Sequence, residues 1–144
     1  MPTLAIPAFG TLIKIGDGGG PENFTTIAEL MDIKGPKFKM DTEDVTNHLS
    51  AGSWEEVVGT ILRSGEVTFD VNFVPQNATH SYSSGLLRDM VNKTKRNFKL
   101  VFPDTAVTTW AFTALITGFE PEMPVKGKLK ASITLKVTGQ PTLA

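Results

Sequence analysis

Apolar and polar residues alternate with a period of two along most of this chain, the pattern of strands with one buried face. Over residues 66–73, Val67, Phe69, Val71 and Phe73 fall on one side, with Glu66, Thr68, Asp70 and Asn72 on the other. Pro75 has no backbone donor and closes that strand. Leu129, Ala131, Ile133, Leu135 and Val137 repeat the scheme against Lys130, Ser132, Thr134, Lys136 and Thr138, and Gly139 and Pro141 are expected to stop it. Residues 98–102 form a shorter strand. In the longer run 107–119, Trp110, Phe112, Ala114 and Ile116 oppose Ala111, Thr113, Leu115 and Thr117. That second face is only weakly polar, as where a strand is partly covered. Residues 11–15 read as a short strand before the turn Asp17-Gly18-Gly19-Gly20-Pro21. Residues 29–41 read as two strands broken at Gly35-Pro36.

A single helix is predicted at about 83–95. Ser83 or Ser84 would cap it by accepting a first-turn N–H. Leu86, Leu87, Met90 and Val91 share one face, and Lys93, Lys95 and Arg96 sit where the helix dipole favours cations. Residues 46–63 show weak periodicity and read as a long irregular loop, a feature often tied to function in a compact domain. Residues 1–10 and 139–144 read as extended arms. Leu4, Ile6 and Phe9 alternate in the first, so it is expected to dock on its own subunit or on a neighbour. The fold class expected is therefore mainly β: an antiparallel β-sandwich or barrel-like domain with one flanking helix.

Composition narrows the chemistry. The 144 residues suit one domain with a real core. With no cysteine there are no disulfides, no thiol catalysis and no cysteine-ligated zinc. Residues 1–10 lack the basic and apolar regions of a signal peptide, and no apolar run approaches the roughly 20 residues needed to cross a bilayer. The Asn23, Asn77 and Asn92 sequons are therefore read as chance. Net charge is −1 but unevenly spread: residues 1–72 hold 5 Lys/Arg against 11 Asp/Glu, and residues 73–144 hold 9 against 4. Such an imbalance is either random excess on a mixed surface or a pair of patches that guide like subunits together.

Catalytic and ligand-binding constellations are weak. A nucleophile needs a base and an orienting third group; His48 and His80 are the available bases, and both read as solvated loop histidines. Asp41, Glu43, Asp44 and His48 lack the twelve-residue calcium-loop pattern. Gly18-Gly19-Gly20 lacks the Lys-Ser/Thr ending of a phosphate cradle. Glu55-Glu56 could act as an acid and base pair, though adjacent loop carboxylates are ordinarily surface charge. Trp54 beside them either folds back on the core or anchors a partner contact. Lys126, Lys128, Lys130 and Lys136 lack the interleaved aromatics of a nucleic-acid face.

Three ordered segments resemble the major tail tube proteins of siphophages. The first is Thr68-Phe69-Asp70-Val71-Asn72-Phe73-Val74-Pro75, followed by Thr79-His80. The second is the helix Gly85-Leu86-Leu87-Arg88-Asp89-Met90-Val91, leading into Phe98-Lys99-Leu100-Val101-Phe102-Pro103-Asp104. The third is Trp110-Ala111-Phe112 through Gly118-Phe119, a basic turn, and Ser132-Ile133-Thr134-Leu135-Lys136-Val137-Thr138-Gly139-Gln140-Pro141-Thr142. The match covers roughly residues 65–142, and Gly10-Thr11-Leu12 also fits.

The resemblance implies a structural, non-enzymatic virion protein without cofactor or metal, assembled in the host cytoplasm. Its copies would close into hexameric rings whose inner sheets form a continuous barrel, and the rings would stack into a tube. DNA would transit the lumen without specific binding; a tape-measure protein and tail terminator and tip proteins would be partners, with no membrane. The expectation is one tail-tube domain over 1–144, without the immunoglobulin-like domain that some relatives carry. Glu66, Thr68, Asp70 and Asn72 are the candidate lumen lining. Trp54, Glu55, Glu56 and Ser50 are candidate ring-to-ring contacts, and Leu4, Ile6 and Phe9 candidate arm contacts. Two rivals remain: a ring-forming tube protein of a contractile secretion machine, and a small-ligand-binding β-barrel protein. The Gln140-Pro141-Thr142 ending and the short chain favour the phage version over the first.

Overall fold

The computed structural model describes residues 2–143; Met1 and Ala144, the outermost residues of the two expected arms, lie outside them. The described residues form β1 (Leu12–Gly16), β2 (Phe24–Thr26), β3 (Leu30–Lys34), β4 (Lys39–Asp44), β5 (Val57–Arg63), β6 (Glu66–Asn72), helix α1 (Leu86–Val91), β7 (Arg96–Val101), β8 (Thr109–Glu122) and β9 (Lys130–Leu143). Seven strands make one antiparallel sheet in the order β2-β1-β7-β8-β9-β6-β3, and β4 and β5 pair only with each other. The mainly-β antiparallel expectation holds.

Two long strands turn this sheet into a sandwich. The first half of β8 pairs with β7, from Thr109↔Val101 to Ala114↔Arg96. The first half of β9 pairs with β6, from Lys130↔Asn72 to Lys136↔Glu66. Because β8 and β9 pair along most of their length, each belongs to both layers and bends between them. Ladder irregularities at Ile116/Gly118 and Ala111/Thr113 lie along this course; extra residues of this kind bend a strand and sharpen its twist. Edge strands β2 and β3 are consecutive in the chain with residues 27–29 between them, so the sheet curls back toward itself.

The interior is the apolar half of the alternation. Val67, Phe69 and Val71 from β6, Ile133, Leu135 and Val137 from β9, and Phe112, Ala114 and Ile116 from β8 are buried together. Phe98 and Leu100 of β7, Ile13 of β1 and Leu86 of α1 complete the set. The Phe98 and Phe112 rings stack at 5.9 Å. Each side chain of this size contributes about 1.5–3 kcal/mol by leaving water.

Five expectations need correction. Gly139 and Pro141 do not stop the last strand: β9 runs on to Leu143, and both residues fall in the stretch where Ala111↔Thr142 follows Thr113↔Thr138. A proline is tolerated in such a bulge, and Gly139 takes a φ of +77° there. The expected C-terminal arm is thus largely strand. Strand β8 runs over Thr109–Glu122 rather than 107–119.

The helix is shorter than 83–95. Its N-cap is Gly85, and neither Ser83 nor Ser84 caps it; the Ser84 hydroxyl donates instead to the Ala78 carbonyl. At the other end the Thr94 N–H reaches the Asp89 carbonyl and the Lys93 N–H the Met90 carbonyl. With Lys93 at φ +57°, this is the paired-bond stop that glycine ordinarily provides.

The long loop 46–63 is corrected as well: residues 57–63 are strand β5, paired with β4 from Asp44↔Val57 to Lys39↔Arg63. All seven residues of β5 are exposed, so no core imposes an alternation that a sequence could display.

His80, expected in solvent, is fully buried. Its Nδ1 accepts the Val74 N–H at 3.1 Å, so Nε2 carries the proton and donates to the Ala28 carbonyl at 2.8 Å. The neighbouring Thr79 hydroxyl accepts the Ala28 N–H. Together these two residues clamp the short 27–29 connection where the sheet edges approach each other. Asp89 is also buried and forms an ion pair with Arg96 at 3.0 Å, tying α1 to the start of β7.

Candidate assembly surfaces

Strands β3 and β4 run on from one another, and so do β5 and β6. Because β3 pairs with β6 and β4 with β5, the four form one long two-stranded ribbon. Its base belongs to the sheet and its outer half projects. Gly35 marks the passage on one side, at φ +103°, where a Cβ would run into the Glu66 carbonyl. Phe38 anchors the root by packing on Trp110 at 5.5 Å, near the start of β8.

The projecting half carries the candidate ring-to-ring residues. Trp54 is 78% exposed, which places it away from the core rather than folded onto it. Glu55 and Glu56 are exposed, and the Ser50 hydroxyl donates to Glu56 Oε2 at 2.7 Å. Trp54, Ser50 and the two glutamates therefore share the tip, residues 45–56. Thr46 holds the Asp44 carboxyl below its usual 3.8, through its hydroxyl and its backbone N–H. Along the shaft, Arg63 pairs with Asp41 at 2.8 Å. From residue 40 to 62 there are five carboxylates and no lysine or arginine.

Sequence reasoning missed the shaft's apolar surface. Met40, Val57, Val58, Ile61 and Leu62 are exposed, and so is Leu49 at the tip. The Val57-Val58 and Ile61-Leu62 pairs were the available signal: apolar doublets inside an acidic segment. Exposed apolar residues gathered on one projecting element are a candidate contact surface.

The four candidate lumen residues do share a face. Glu66, Thr68, Asp70 and Asn72 alternate with the buried Val67, Phe69 and Val71. Their cross-strand partners on that face are Lys136, Thr134, Ser132 and Lys130, with Lys34 opposite Thr68 and Glu120 and Glu122 continuing it on β8. The Ser132 hydroxyl donates to Asp70 Oδ1 at 2.7 Å. The Asn72 side-chain amide donates to Glu29 Oε1 at 3.4 Å, so five carboxylates and three ammonium groups mix on this surface and it is acidic on balance.

Leu4, Ile6 and Phe9 sit in a segment without strand or helix, and all three are exposed, Phe9 at 94%. Between this arm, residues 26–33 and Phe102-Pro103 lies an open groove of about 1070 Å³. His48 is exposed at the ribbon tip, apart from the buried His80. Among the described residues no three His, Cys, Asp or Glu side chains converge as a metal site, and no helix is long and apolar enough to cross a membrane.

Solved structures share this architecture. A chain from the tail of an empty GTA particle, refined with C6 symmetry, superposes with a TM-score of 0.78 at 21% identity, over 97% of this chain and 99% of that one. A chain of the native gene transfer agent virion gives 0.75 at 19% identity, over 97% and 99%. The sheath/tube terminator structure of an extracellular contractile injection system, PVC, gives 0.72 at 15% identity, over 99% and 98%. The fold is thus the one found in these tail and tube structures.

The chain belongs to the family described as lambda phage tail tube protein, TTP, whose model matches residues 13–144. It is accordingly a structural component of a phage tail. No curated protein sequence matches it.

Proposed function

We propose that copies of this chain, each one tail-tube domain over residues 1–144, close into rings of six that stack into a tube for DNA ejection. Family membership over residues 13–144 carries this reading, and the C6 symmetry of the similar GTA tail supports the ring size. The role is architectural, not enzymatic. A tape-measure protein fills the lumen before ejection, and terminator and tip proteins close the two ends. Negative-stain microscopy of the concentrated protein tests it: rings or hollow tubes are expected, and a uniformly monomeric field at every concentration would overturn it.

In this reading the ribbon joins successive rings, with Trp54 as its anchor beside Glu55, Glu56 and Ser50. Trp54→Ala should leave a folded monomer and slow tube growth by ~10-fold or more, the scale of losing a buried aromatic anchor. Unchanged growth followed by light scattering counts against it. Leu4, Ile6 and Phe9 of the arm seat on an adjoining copy, which supplies the cover their own subunit does not.

The Glu66, Thr68, Asp70 and Asn72 face lines the lumen. Its acidic excess offers phosphates nothing to grip. Replacing Glu66 and Asp70 with lysine leaves three carboxylates against five ammonium groups, and phosphate binding by released counterions follows. Particles with both substitutions should eject DNA several-fold more slowly at low salt, with the delay vanishing as salt rises. Wild-type ejection at low salt would remove these strands from the lumen.

The likeness to the contractile injection system structure favours one second reading, a tube enclosed in a contractile sheath. Particle images showing a sheath around the tube would decide for it.

A further inference from the structure

We propose that the β8–β9 loop, Met123 to Leu129, is the receptor for the acidic ribbon tip of a subunit in the next ring. This rests on the ribbon reading above and names the surface that the ribbon meets.

Position comes first. The ribbon is rooted beside Trp110 at the start of β8. It points onward in the direction of β3, which runs from the Glu122 end of β8 toward the middle of that strand. The β8–β9 loop leaves from Glu122, at the far end. Twelve residues of strand separate Trp110 from Glu122, up to about 40 Å at ~3.3 Å per residue. One subunit therefore cannot satisfy its own ribbon with its own loop, whereas a second copy stacked head to tail brings the two together.

The chemistry matches at both levels. The ribbon offers Glu43, Asp44, Glu55 and Glu56, with no lysine or arginine between positions 40 and 62. Residues 123–129 hold Lys126 and Lys128 and no carboxylate. Among the described residues neither lysine is in an ion pair: the ion pair here is Lys130 with Glu122, and the Lys128 ammonium rests at 2.9 Å on the Met31 thioether, a weak acceptor. Apolar surface accompanies charge on both sides. Met123 and Val125 stand exposed on the loop, as Trp54 and Leu49 do at the tip. Opposite charges around an apolar centre steer association and fix its register.

The test uses charge reversal on full-length protein, at exposed positions. Glu43→Lys, Glu55→Lys and Glu56→Lys together leave three ammonium groups against Asp44 at the ribbon tip, and Lys126→Glu with Lys128→Glu reverses the loop. Each variant should keep the circular dichroism of the folded monomer and elongate ~10-fold or more slowly than wild type at low salt. Mixed together, the two should co-assemble at close to the wild-type rate, since the basic ribbon of one meets the acidic loop of the other. Failure of the mixture to assemble, when each variant alone is folded and blocked, overturns the pairing. If Trp54→Ala slows growth while the loop variant grows normally, the ribbon reading stands and the loop assignment falls. If neither change affects growth, both fall.

Discussion

Replacing residues 45–56 with Asn-Gly should abolish tube elongation while leaving a folded monomer. Asp44 and Val57 face each other across the ribbon, so a two-residue turn of the favoured type can join them without shifting register. The excised residues make hydrogen bonds only within the ribbon: Ser50 to Glu56, Thr46 to Glu56, and Val45 to Glu56. None reaches the sandwich. Trp54, Leu49, Glu55 and Glu56 leave together, removing the tip's apolar part of the proposed contact and half of its four carboxylates. Thermal melts of the variant should match wild type within ~0.5 kcal/mol, as for surface changes. Tubes of normal length by electron microscopy would mean that ring stacking runs through another surface.

The opposite outcome is expected at His80. His80→Ala should cost about 3 kcal/mol of folding stability, from two backbone groups that lose their side-chain partner and the void of a removed buried ring. The Val74 N–H and the Ala28 carbonyl lose their partners at once, and the tie across residues 27–29 goes with them. Urea denaturation measures it, and a loss below ~1 kcal/mol would mean the site relaxes or admits water. His48→Ala, at the exposed tip, should stay within ~0.5 kcal/mol. A domain of this size has about 5–15 kcal/mol in total, so the His80 change removes a sizeable share of it.

The contrast between the two histidines shows what a sequence displays and what it hides. Val67, Phe69 and Val71 announced their strand because one face must be buried, and period-two alternation is the direct trace of that demand. Strand β5 left no trace because both of its faces are exposed. The bulge holding Gly139 and Pro141 depends on β8 lying opposite, a long-range fact that local turn chemistry cannot carry. Lys93 ended the helix in a conformation usually given to glycine, so the stop was invisible in composition. His80 became buried only because Val74 and Ala28, six and fifty-two residues away, converge on its two nitrogens.

The candidate surfaces were legible to a similar degree. The outer face of β6 followed from the alternation, and the Trp54 tip from a large aromatic among small residues. The fine charge balance of the β6 face was not legible, because Lys34, Glu120 and Glu122 reach it from other strands. The apolar shaft was overlooked because its doublets do not alternate.

The ribbon's continuity with the sheet also has a mechanical side. A pull on the tip is delivered to β6 lengthwise, and β6 is held to β9 through seven paired positions from Glu66↔Lys136 to Asn72↔Lys130. The load falls on those positions in parallel, as in shear, and not on one bond after another, as when a zipper opens. A fibre of such units would stretch and bend under force while each joint's attachment to its own body stays intact.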